Sequence, residues 1–76
     1  MSSYMDYPES DPRHHTMQIQ RQLRDLSAHL REDVGKVQDP KARALFETSA
    51  EVLDGLTRAF QHFETAAEEA WKSTPT

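Results

Sequence analysis

The chain has 76 residues, no cysteine, and nine Lys plus Arg against thirteen Asp plus Glu, for a formal charge of −4. That length allows one small domain at most, and the missing cysteines exclude disulfides, thiolate metal sites and cysteine nucleophiles. The acidic balance argues against a nucleic-acid-binding module, which carries a basic stripe.

No apolar run approaches the roughly eighteen residues of a spanning helix. The start, Met1 to Tyr7, lacks the basic-then-apolar order of a secretory signal. A cytoplasmic location is the expectation. Residues 1–11 hold Ser, Pro and charge and read as a flexible arm.

Asp11-Pro12 then opens the first helix, because Asp is a good N-cap and proline suits the first helical position. Ile19, Leu23, Leu26, Leu30, Val34 and Val37 follow in steps of 4, 3, 4, 4 and 3. At helical pitch they fall within an arc of about 80°, the width of a contact with one neighbour. The helix is expected over about 12–37, with Gly35 weakening its end.

A second Asp-Pro pair, Asp39-Pro40, breaks the pattern: proline cannot sit inside a helix, and the residue before it is driven out of helical geometry. A second helix is expected over about 40–72, with 73–76 frayed. So short a connection makes the two helices an antiparallel hairpin. Ala42, Leu45, Phe46, Ser49, Val52, Leu53, Leu56, Ala59, Phe60, Phe63, Ala67, Ala70 and Trp71 share one side of it, an arc of roughly 140°. A face that wide needs at least two neighbours. The expected fold is therefore all-α: a two-helix hairpin that pairs into a four-helix-bundle homodimer. Phe46, Val52, Leu53, Leu56, Phe60, Phe63 and Trp71 are its expected interface. Trp71 overhangs the shorter helix, and Tyr4, Met5 and Tyr7 are the apolar residues expected to fold over it.

The chemistry-bearing residues are sparse. His29 lies four residues from both Asp25 and Asp33, which places all three near one helix shoulder and makes them candidate metal ligands. His14, His15 and His62 do not aim at one point, as a zinc site requires. The Glu-x-x-His of di-iron bundles is missing. Arg21–Asp25, Glu32–Lys36, Arg43–Glu47, Asp54–Arg58 and Glu68–Lys72 have the four-residue spacing of solvated helix pairs. Gly55 is the oddity, a glycine mid-helix on the outward side.

Ser27, Ser49 and the threonines have no base and orienting acid beside them, and no glycine-rich phosphate loop exists. The expectation is a non-enzymatic interaction protein without cofactor, partnered by itself and by another protein, and binding no nucleic acid. The alternative is a metal-binding or metal-storage assembly with His and carboxylate ligands meeting between subunits. A third reading attaches the wide face to a membrane or granule surface; acidic charge beside that face disfavours anionic lipid.

Overall fold

The computed structural model describes residues 6–73, the side chains of positions 68 and 70–73 excepted. Helix α1 runs Pro12–Val34 and helix α2 runs Pro40–Ser73. They pack antiparallel as a rod 58 Å long and about 20 Å across. Among the described residues there is no strand. Both Asp-Pro starts appear as expected. The expected covering of Trp71 by Tyr4, Met5 and Tyr7 falls on a side chain outside the described residues, as does the Glu68–Lys72 pair.

Each start has a clear cause. Asp11 is extended (φ −84°, ψ 126°), and its Oδ1 accepts from the Arg13 backbone N–H at 2.9 Å, satisfying one of the amides a helix leaves open. Asp39 does the same for α2, accepting from the Lys41 N–H at 3.0 Å. The end of α1 differs from the sequence expectation. The helix stops at Val34 rather than at residue 37, with the Gly35 N–H on the Glu32 carbonyl at 3.2 Å and the Lys36 N–H on the Asp33 carbonyl at 2.9 Å. Those tight bonds close the last turn. Glycine's poor helix propensity and the extended residue that Pro40 demands leave no room for another turn.

The contact between the helices is the larger departure. Its buried residues are Gln20 and Ser27 on α1 and Ala50 and Thr57 on α2. The expected seam of α1 lies to one side of this contact instead of filling it. Leu23, Leu30 and Val34 are half-buried at its edge, while Ile19 and Leu26 are exposed. On a helical wheel the buried centre of α1 lies about 70° round from the centre of its apolar arc. The small Ser27 and Ala50 let the backbones close up, and the polar groups around Ser27 are satisfied across the gap.

Candidate interaction surface

Ser27 Oγ donates to Asp54 Oδ1 at 2.6 Å. The Arg31 guanidinium donates to Asp54 Oδ2, and also to Glu51 Oε1 at 3.3 Å. The Ser27 hydroxyl and then Arg31 hold the Asp54 carboxyl below its usual range, while the same carboxylate and Glu51 push the Arg31 guanidinium up. Sequence spacing pairs Asp54 with Arg58 on an outer face; the structure turns Asp54 to α1. Further along the contact, Thr57 Oγ1 donates to the Leu53 carbonyl one turn back at 2.8 Å. Thr16 Oγ1, Gln20 Nε2 and Glu64 Oε1 are buried without a partner. The hairpin is thus fastened by a polar clasp near its middle and carries unsatisfied polar atoms toward its open end.

With the inside taken by small and polar groups, the apolar stripes of both helices turn to one side. Ile19 and Leu26 on α1, and Leu45, Val52, Leu56 and Phe63 on α2, are 41–62% exposed. Relative to the buried contact, the stripes lie about 100° round on α1 and about 130° round on α2, in the same sense. Because the helices are antiparallel, that puts them on one face. Two open grooves run along it: one of about 450 Å³ lined by Leu26, Leu30, Thr48, Ser49, Val52 and Leu53, and one of about 280 Å³ lined by Thr16, Ala59, Phe60 and Phe63. Both are walled mainly by carbon.

Of the residues expected at an intersubunit contact, Val52, Leu56 and Phe63 are exposed on this face, and Phe46, Leu53 and Phe60 are half-buried beside it. Trp71 belongs to α2, and its side chain lies outside the described residues. Sequence reasoning missed the clasp and the buried Gln20, Ser27 and Thr57. Ser27 and Asp54 fall on the sides the two helices turn toward each other, and only the cross-hairpin register reveals that.

The candidate metal ligands separate. His29 Nε2 meets Asp33 Oδ2 at 3.0 Å, Asp33 also lies 3.9 Å from Lys36 Nζ, and Asp25 is exposed outside that pair. Lys36 Nζ also pairs with Glu32 at 3.0 Å, as its spacing implied. Among the described residues no group of three His, Cys, Asp or Glu side chains is placed to hold a metal ion.

His62 is exposed on α2, while His14 and His15 serve the start of α1. His14 Nδ1 is 2.9 Å from the Tyr7 carbonyl and His15 Nε2 is 2.7 Å from the Glu9 carbonyl. A carbonyl only accepts, so each of those nitrogens carries its proton. The two rings meet edge to face at 5.0 Å. Arg13 lies 4.2 Å over the Tyr7 ring and pairs with Asp11 at 2.7 Å, an ion pair that, with the Arg13 N–H, lowers the Asp11 carboxyl to about 2. Residues 7–11, read from sequence as part of a flexible arm, are tied by these contacts to the first turn of α1.

Among the described residues no helix is long and apolar enough to cross a membrane. No family model, no curated protein and no solved structure matches the chain. Its function is therefore argued from the exposed apolar face and the groups around it.

Proposed function

We propose that the chain is a small, non-enzymatic interaction protein of the cytoplasm. In this reading it pairs with a second copy through the apolar face, and the two hairpins form a four-helix bundle whose outer faces and arms engage another protein. The observation that carries the reading is the shared direction of Ile19, Leu26, Leu45, Val52, Leu56 and Phe63. Isolated exposed leucines are ordinary; a contiguous stripe on two adjacent helices marks an association surface. A hairpin whose inside is serine, alanine, threonine and glutamine buries little of its own apolar surface, and an opposed layer supplies the rest.

Sedimentation equilibrium tests this. The 8.8 kDa chain is expected to sediment at about twice its mass at micromolar concentration. Leu56→Asp places a charge in water in a lone hairpin but inside the contact in a pair, so the variant is expected to sediment as a single chain. Leu53→Asp, half-buried between the helices, is expected to lower helicity as well. Single-chain mass for the unaltered protein, or an unchanged double mass for Leu56→Asp, counts against the reading.

A further inference from the structure

The spacing of the exposed residues also says how two copies would lie. We infer that the second copy sits on the apolar face antiparallel to the first, α1 over α1 and α2 over α2. The two-fold axis then crosses the helices at the level of Asp54. This rests on the self-association just proposed and adds its orientation.

The exposed stripe of α2 is Leu45, Val52, Leu56 and Phe63, with steps of 7, 4 and 7 that mirror about residue 54. Within the apolar face of α1, the exposed Ile19 and Leu26 and the half-buried Leu23 and Leu30 have steps of 4, 3 and 4 that mirror about a point between residues 24 and 25, with the half-buried Val34 one turn beyond. The register of the hairpin relates the two centres. Ser27 approaches both Ala50 and Asp54, so it lies level with about residue 52. The midpoint of Leu23 and Leu26 then lies level with residue 54 or 55.

Both stripes therefore reverse about one line across the face. A single two-fold along that line sets Leu45 on Phe63 of the second copy and Val52 on its Leu56. On the shorter helix it sets Ile19 on Leu30. A two-fold contact is self-complementary in this way: residue i meets j and j meets i.

Two observations favour a second copy in this orientation. The first is stripe length. The exposed positions of α2 span residues 45–63, about 27 Å, and those of α1 span 19–26, about 10 Å. Like over like matches long with long. The competing bundle, with its axis along the helices, lays α2 over α1 and sets Phe63 above Thr16.

The second is area. At roughly half exposure each large side chain leaves on the order of 100 Å² in water. Six of them, bordered by the half-buried Leu23, Leu30, Leu53 and Phe60, approach the ~800 Å² that each partner gives a standard interface.

Because the chain has no cysteine, disulfide trapping reads the arrangement directly. Leu45→Cys and Phe63→Cys are mixed, equilibrated and mildly oxidised. The mixture is expected to give on the order of tenfold more cross-linked dimer than either variant alone, since copies of one position lie about 27 Å apart, beyond disulfide reach. Ile19→Cys with Leu30→Cys repeats the test on α1, and circular dichroism checks that each variant is folded.

Cross-linking of Leu45→Cys to Val34→Cys in place of Phe63→Cys, in a protein of double mass, overturns the orientation and leaves self-association standing. Single-chain mass overturns both.

Discussion

Asp54 ties the two helices together, accepting from Ser27 and Arg31 across the helix contact. Both hold its carboxyl below the ordinary 3.8. A carboxyl lowered by folding contributes stability that is present above its unfolded value and is lost as pH falls through its folded value. The clasp therefore holds at neutral pH and opens only in acid, below about pH 4. Ser27→Ala removes the larger of the two causes. The Asp54 titration, followed by NMR, is expected to move up toward the ordinary range, with the acid unfolding transition moving the same way.

Gly55 gives a second prediction at this scale. A Cβ built there meets only Arg58 Nη2 at 3.9 Å. Alanine therefore fits, and Gly55→Ala is expected to raise stability by about 1 kcal/mol in thermal unfolding. An unchanged sedimentation mass would place residue 55 outside any helix contact. Gln20→Leu removes a buried amide nitrogen that has no partner and is expected to stabilise the hairpin by about 1–3 kcal/mol in urea.

At the scale of the element, the helix starts were the most legible part of the sequence. Asp-Pro fixes a boundary chemically: the carboxylate takes an open amide, and the ring cannot lie further inside. Both caps form as read, with Arg13 and Lys41 as donors. Asp11→Ala is expected to lower helicity and melting temperature. That difference should vanish as pH falls toward about 2, where the wild-type carboxyl takes up its proton. The end of α1 was less legible, because Gly35 costs only a fraction of what proline does and leaves the stop to the surrounding turn.

The side of each helix that faces its sibling was not legible at all. Apolar spacing gives the width of a greasy arc but not which neighbour takes which part of it. Here the sibling takes the polar edge through Ser27, Asp54 and Arg31, and the arc is left pointing outward. The same limit applies to the candidate ligands. His29 and its two Asp neighbours share a shoulder by spacing, yet only Asp33 is reached.

For the whole molecule, the polar inside and the apolar outside belong to one arrangement. In the four-helix bundle proposed above each helix would touch two neighbours, and the hairpin itself supplies one such contact with small and polar side chains. The other, carbon-lined side is then free for an opposing layer. Filling the clasp with leucine would remove the distinction between the two sides. Ser27→Leu combined with Asp54→Leu is expected to keep helicity while broadening side-chain NMR resonances, because several rotations of the helices would then bury similar area. Sharp, single resonances in that variant would show that the clasp does not choose the packing.

The bend between the helices uses only ordinary backbone. Gly35 has φ −73° and ψ −12°, and no described residue has a positive φ. A Cβ at position 35 would rest 3.5 Å from the Glu32 carbonyl, a normal contact. The reversal of the chain is thus written in an imino ring and the acid before it, and exchanging this glycine for another small residue would leave the two rods folded back on each other.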